Sequence, residues 1–384
     1  MVYTRRIMIL VLLFGLVSML ADITYEGARS VIPQYIAYIG GDATTVGIIS
    51  GAGELAGYVL RFVSGFVASR YGLLWALTMG GYLLTGLSIA LMSIVKTTLG
   101  VGLLVAGERM GKGLRTPPRD ALLGRLSRLS GGSGRIFGIH GALDQVGAVV
   151  GPLIVLVMLS LKTFGSVIEA LFLTISIPAF ISVLILLIAR SLYPREIEEP
   201  PKGFTFKIFR GLLGLYILSI VVPLISLVSL SLAVYYVGSR DPAMGALYFL
   251  VIQIIHIPSA LLLGFLYDRF GYSIMLSYFI LIPLIALGLI LTPYLLLLLG
   301  IVLSIEESIQ RALIADLARG NESAAFGFYH LAYGLGALVG GYVVGFLIDH
   351  GLLRELITLS LVSSAIGLGI FIHILKNLNR GVVF

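Results

Sequence analysis

Twelve apolar runs, each about as long as a bilayer is thick, fill nearly all of this chain and leave only short charged turns between them. They lie at 7–36, 44–69, 74–95, 98–124, 136–160, 166–191, 208–237, 243–267, 273–291, 294–318, 324–349 and 353–376. A membrane-spanning helix needs roughly 20 apolar residues. In lipid the backbone must satisfy its own hydrogen bonds, so runs of this length are read as helices. With 58% hydrophobic and 12% charged residues, the bilayer is the expected solvent. The expected fold class is all-α and integral to the membrane.

Two phrases about 200 residues apart reveal a duplication. Gly65-Phe-Val-Ala-Ser-Arg70-Tyr-Gly72 is echoed by Gly264-Phe-Leu-Tyr-Asp268-Arg269-Phe-Gly271. Phe137-Gly138…Gly147-Ala148-Val-Val-Gly151 is likewise echoed by Phe326-Gly327…Gly336-Ala337-Leu-Val-Gly340. The chain therefore divides into two pseudo-symmetric six-helix bundles, 1–192 and 208–384. A Pro-rich, charged linker at 193–207 joins them. Repeats of the same orientation imply halves that rock about a site between them.

Basic residues fix the orientation. With the N-terminus inside, the inner turns hold Arg5, Arg6, Arg70, Arg125, Arg128, Arg135, Arg190, Arg195, Lys202, Lys207, Arg210, Arg269, Arg319, Lys376 and Arg380. The outer turns hold only Lys96, Lys162, Arg240 and Arg354. The positive-inside rule then places both termini in the cytoplasm, in a multi-pass protein of the cell membrane. The net charge of +7 comes from these turns, so it does not imply nucleic-acid binding. Cys 0 excludes disulfides and thiol chemistry. The first run, from residue 7 to Pro33 and beyond, carries Asp22 and reads as a retained helix rather than a cleaved signal.

Charged groups within the hydrocarbon layer are costly and mark cavities or partners. Asp22, Glu26 and Arg29 share one face of the first helix, with Tyr25 beside them. Glu54 and Arg61 lie on the second, and Glu108, Arg109, Lys112, Arg115, Arg119 and Asp120 on the fourth. His140 and Asp144 lie on the fifth, and His256, Glu306, Glu307, Arg311 and His330 in the second half. Counting along the axes puts Asp22 and Arg109 at similar heights, roughly 22 and 24 Å from the cytoplasmic helix ends. They are expected to meet. Asp144, roughly 12 Å in, is expected level with Arg115 and Arg119 rather than with Asp22. The His140/Asp144 spacing suits a metal only if a third ligand joins it, so no metal and no cofactor is expected. Glycines four apart, such as Gly147/Gly151 and Gly336/Gly340, allow close helix approach.

Together these residues resemble the major facilitator superfamily. The paired phrases at Gly65…Arg70-Tyr-Gly72 and Gly264…Asp268-Arg269-Phe-Gly271 are similar to its loop motif. Arg109-Met-Gly-Lys112-Gly113 resembles its fourth-helix motif, and Gly147-Ala-Val-Val-Gly151-Pro152 its fifth-helix antiporter motif. Three positions depart: Ser69 replaces the usual Asp, Lys112 the usual glutamine, and no glycine pair follows Pro152. The resemblance implies a monomeric secondary transporter, with helices 1, 4, 7 and 10 around a central cavity and access alternating between the two sides.

Under that resemblance Asp22, Glu26 and Arg109 couple protons, while Tyr25, Arg29, Lys112, Glu306, Glu307 and Arg311 contact a small-molecule substrate. Gly65, Arg70, Gly72, Asp268, Arg269, Gly271, Gly147, Gly151, Pro152, Asp144 and Arg115 hold and gate the scaffold. Efflux of a drug-like or amphipathic compound by proton antiport and uptake of an anionic metabolite both fit cavity walls of mixed charge. An intramembrane enzyme or a receptor on the same scaffold is the other class. No nucleophile or phosphate loop supports the enzyme, and Glu306 and Glu307 point about 100° apart on their helix. The topology is directly testable in this cysteine-free chain. A cysteine placed at Lys162 or Arg240 should react with an impermeant maleimide outside intact cells, and one at Arg70 or Arg269 should not.

Overall fold

The computed structural model describes residues 2–130, 133–194, 211–318 and 322–379. Most of the expected linker therefore lies outside the described residues, as do Arg319 and Arg380. Among the described residues every regular element is helical. Fifteen α-helices are numbered in chain order: α1 (Val2–Arg29), α2 (Ile32–Tyr38), α3 (Ala43–Tyr71), α4 (Leu74–Leu91), α5 (Thr98–Ser130), α6 (Ser133–Leu161), α7 (Phe164–Leu192), α8 (Leu212–Leu224), α9 (Leu230–Gly238), α10 (Pro242–Phe270), α11 (Leu276–Leu287), α12 (Leu299–Ser304), α13 (Gln310–Ala318), α14 (Glu322–Asp349) and α15 (Leu353–Asn379).

Eight described stretches are long and apolar enough to span a bilayer. Several of the twelve expected helices are interrupted. The first breaks at Ser30 and Val31, just before Pro33, with the Ser30 hydroxyl turned back onto the Gly27 carbonyl at 2.7 Å. The seventh breaks between α8 and α9, after Pro223, where Ser229 caps α9 by accepting from the Leu232 amide. The tenth is a 3₁₀ segment Pro293–Leu298, then α12, then a π-helical segment Ile305–Ile309, then α13. A proline removes a backbone donor and crowds the preceding turn. The break of the first helix, ahead of Pro33, follows that rule; that of the seventh comes after Pro223, which lies inside α8, at a matching place in the repeat.

Packing divides the chain into two units, Met1–Tyr35 with Ala56–Phe204, and Ile36–Leu55 with Thr205–Phe384. The N-terminal part of α3, up to Leu55, thus belongs to the second unit. In the first unit, α1 and α6 meet at glycines: a Cβ on Gly147 would overlap the Met19 carbonyl, and one on Gly151 the Ile23 carbonyl. In the second unit Gly340 presses the Leu224 carbonyl of α8 in the same way, and a Cβ on Gly336 would stand 3.0 Å from Val221 and Leu224. The echoed glycines thus perform the same packing in both repeats. The echoed loop phrases do likewise, because Gly72 (φ +70) and Gly271 (φ +59) end α3 and α10 in the left-handed region that glycine favours.

Also within the second unit, Gly47 and Gly341 interlock backbone to backbone, as do Gly51 with Ala337 and Leu338. Asp349, at the end of α14, caps α3. Its Oδ1 accepts the Ala43 amide at 2.9 Å, and its Oδ2 accepts the Thr44 amide at 2.7 Å and hydroxyl at 2.5 Å. Asp42 adds a cap by accepting the Thr45 amide and hydroxyl. The Thr45 hydroxyl bond holds the Asp42 carboxyl below its ordinary value, so this cap is lost only as pH falls through that lowered range.

Large apolar side chains such as Phe265, Leu261 and Leu161 point outward from the helices, as expected where lipid is the solvent. Gly147→Val forces α1 and α6 apart, because the clash is with backbone. Overpacking of this kind costs about 1–3 kcal/mol, and thermal unfolding in detergent should show a clearly lowered midpoint.

Candidate functional site

The first unit gathers the costly charges predicted from sequence onto the facing sides of α1, α5 and α6. Tyr25 is the hub. Its hydroxyl accepts from Arg109 Nη1, while Lys112 Nζ, Arg109 and Arg29 stand 3.7, 4.7 and 5.3 Å from its ring centroid. Glu26 is shared between Arg29, at 3.3 Å, and Lys112, at 3.8 Å. Arg109 also reaches Glu108, which is completely buried, at 3.6 Å. Cations stacked on an aromatic face and paired with buried acids are strongly held in a low-dielectric setting.

Asp22 does not meet Arg109. Its ion pair is with Arg115, at 3.8 Å. Both helices run past their apolar runs, α5 to Ser130 rather than 124 and α1 back to Val2 rather than 7, so the two extensions nearly cancel and counting from the ends does not choose between Arg109 and Arg115. The antiparallel contacts of Arg119 with Ser18, Arg115 with Asp22 and Arg109 with Tyr25 set the register instead. Asp144 is corrected as well. It is near Arg119 as expected, but Asp22 is within its electrostatic range as well, and Gly147, one turn on, abuts Asp22.

Arg115 is itself 1% exposed. It donates to the Thr85 hydroxyl at 2.8 Å, lies 4.6 Å from the Tyr82 ring centroid and so ties α4 and α5 to α1. Close packing makes room for it, since Gly81 of α4 would collide with Arg115 if it carried a side chain. Neither Tyr82 nor Thr85 stands out in sequence, because a tyrosine and a threonine in an apolar run carry no charge to flag them.

The second unit holds a separate polar group on the π-helical segment. Glu306, 8% exposed, accepts from Tyr333 at 2.8 Å and from Tyr278 at 3.4 Å. One turn on, Gln310 accepts from Tyr329 at 2.8 Å. Glu307 points the other way, is half exposed and faces His256 at 3.6 Å. Arg311 is exposed. An extra residue in the turn, as in a π-helix, re-aims side chains and recurs at functional sites. Charge flagged Glu306 in the sequence, but its tyrosine partners carried no signal.

The motif residues lie at helix ends and seams. Arg70, Asp268 and Arg269 are exposed beside Gly72 and Gly271. A Cβ on Gly65 would stand 3.5 Å from Pro117, and Pro152 is buried in α6. Among the described residues no group of His, Asp and Glu could hold a metal.

Residues 12–341 match the family described as Major Facilitator Superfamily. The chain belongs to the Major Facilitator Superfamily. Membership makes it a multi-pass membrane transporter of small molecules and not an enzyme. It is 33% identical over 359 residues to an uncharacterised protein of Mycobacterium tuberculosis (strain ATCC 25618 / H37Rv), covering 88% of this chain and 86% of that one. It is 32% identical over 141 residues, 37% of this chain and 35% of the relative, to an uncharacterised MFS-type transporter of Methanocaldococcus jannaschii.

Among solved structures a mutant form of the nucleoside transporter NupG matches at TM-score 0.75 and 14% identity, over 96% of this chain and 99% of that one. A POT family transporter in complex with 5-aminolevulinic acid matches at 0.74 and 14%, over 96% and 95%. At this identity the likeness is one of fold.

Within this superfamily member, Arg115 rather than Arg109 carries the Asp22 contact. Arg115→Met should therefore lower stability by about 3–5 kcal/mol, the cost of stranding a buried charge. Asp22→Asn made on top of it should recover much of that loss, a non-additivity that thermal unfolding of the double-mutant cycle would show.

Proposed function

We propose that this superfamily member is a proton-coupled secondary transporter working by alternating access, and that it exports a small organic or amphipathic compound in exchange for protons. The observation that carries the reading is the array of buried acids, Asp22 and Glu26, paired with Arg115, Arg29 and Lys112 in the first unit. A carboxylate next to a cation favours its charged form, and the same group separated from the cation in a dry setting favours its protonated form. A conformational change that parts Asp22 from Arg115 would therefore load a proton, and the reverse change would expel it. Asp22 is the primary coupling acid and Glu26 the second. Arg109, bonded to Tyr25 and Glu108, holds the array in register.

Tyr25, Arg29 and Lys112 are the proposed substrate contacts of this unit. Glu306, with Glu307 and Arg311, supplies those of the other. The antiport direction rests on the resemblance of Gly147…Pro152 to the antiporter motif and on the seam those glycines make with α1. Placement in the cell membrane with both termini cytoplasmic, and action as a monomer, complete the reading.

One observation favours a second reading. Three cations, Arg29, Arg109 and Lys112, surround the Tyr25 ring, an arrangement that suits an anionic substrate moving inward. The nucleoside and peptide substrates of the structural neighbours belong to those proteins, at a level of identity that carries only fold.

Purified protein in liposomes with imposed pH gradients of either sign tests both. Lipophilic organic cations should be moved against an inward proton gradient, and carboxylate or phosphate anions with it under the second reading. Asp22→Asn should reduce gradient-driven flux at least about a hundredfold, as expected for loss of an essential proton-transfer group. Undiminished flux in a well-folded Asp22→Asn protein would overturn the coupling role.

A further inference from the structure

Asp22 sits deep between α1, α5 and α6, so a proton needs a route to it, and the buried groups left unused above lie along one. Ser18 and Asp22 are one turn apart on α1, and His140 and Asp144 are one turn apart on α6. The two helices run in parallel register here: Ser18 meets His140, Met19 and Asp22 meet Gly147, and Ile23 meets Gly151. Arg119 donates to the Ser18 hydroxyl at 2.7 Å and binds Asp120 at 2.9 Å.

With Arg119 occupying a lone pair of Ser18, the serine hydrogen is available to His140 Nε2, 3.3 Å away. The imidazole then carries its own hydrogen on Nδ1. His140 is 5% exposed and its Nδ1 has no hydrogen-bond partner, and one turn on, the buried Oδ1 of Asp144 has none either. Leaving a donor and an acceptor both unmet in the interior is costly. A donor and an acceptor so placed, bridged by one water, are what a proton needs to step along the helix.

We propose that His140 and Asp144 form a relay that carries protons between the Arg119–Asp120 end of the first unit and Asp22. The inference rests on the coupling role given to Asp22. A proton from water at the Asp120 end is taken up at Ser18 as the serine hydrogen passes to His140 Nε2. The Nδ1 hydrogen passes through the bridging water to Asp144, and Asp144 hands a proton to the Asp22 carboxylate. Only O–H and N–H bonds change, the imidazole ends neutral in its other tautomer, and one proton is moved in all. The other titratable or charged groups facing this path are Glu26 on α1, Tyr82 on α4, and Lys112, Arg115, Arg119 and Asp120 on α5.

Time-resolved infrared spectroscopy after a pH jump, on the full chain in lipid without substrate, tests the relay. The protonated-carboxyl band of Asp22 is the one missing from Asp22→Asn. In His140→Gln, which can hydrogen-bond but not titrate, that band should rise about tenfold or more slowly to an unchanged amplitude. A purely structural role would shift amplitude or melting temperature instead. An unchanged rate overturns the relay, and should His140→Gln not assemble, Asp144→Asn puts the same question. If wild type shows no band that Asp22→Asn removes, the coupling reading fails and takes the relay with it, an outcome distinct from an unchanged rate.

Discussion

The structure of the first unit is organised by the cost of keeping charge out of water. Inside a bilayer an acid must find a cation and a cation an acid, and the three helices that carry them must hold to the spacing those pairs demand. Ser18 with Arg119, Asp22 with Arg115, Glu26 with Lys112 and Tyr25 with Arg109 set the register of α1 against α5 one turn after another. Slipping α5 by a single turn would strand several charges at once. The ion pairs therefore act as a gauge of relative helix position as well as a cohesive force. Under the proposed coupling, that property would let protonation of one acid speak to the movement of a helix.

Glycine supplies the complementary constraint. Lipid offers no hydrophobic drive for helices to associate, so close backbone approach has to come from small residues. Gly147 and Gly151 let α6 reach the α1 backbone beside Asp22, and Gly81 and Gly111 open α4 and α5 around Arg115. The second repeat keeps the seam, at Gly336 and Gly340 against α8, while the ion contact seen among its described residues is His256 with Glu307 rather than an array like that of α1 and α5. Its buried carboxyl, Glu306, is held by tyrosine hydroxyls instead. Duplication has thus preserved the scaffold while the two copies diverged in chemistry.

Much of this was legible in the residues alone. The duplicated phrases located matching helix ends because a left-handed backbone at Gly72 and Gly271 leaves a glycine in the sequence. The charged positions were legible because a bilayer tolerates them nowhere else. Partners were harder to read. Counting from the helix ends matches Asp22 to Arg109, whereas the contact is with Arg115, six residues along α5, because hydropathy fixes neither the ends of two helices nor their register. The apolar runs also hide the breaks ahead of Pro33 and between Leu224 and Leu230. Tyr82, Thr85, Tyr278 and Tyr333 left no trace, since a hydroxyl within an apolar run becomes a partner only once another helix is laid against it.

The contrast between the two acids then bears on how a single scaffold could couple two events. Asp22 on α1 is paired with a cation on α5, so the pair holds only while those two helices keep their relative position. Glu306 is held by neutral donors on a π-helical turn, so its charge state depends on what else comes close to it. Under the proposed coupling, the first arrangement would convert helix position into proton affinity. The second leaves a carboxylate whose hydrogen bonds come from groups without charge, which is suited to respond to an arriving cation or proton. A transporter needs one group that reports movement and another that reports occupancy. Under the proposed mechanism Asp22 would take the first of those tasks and Glu306 the second.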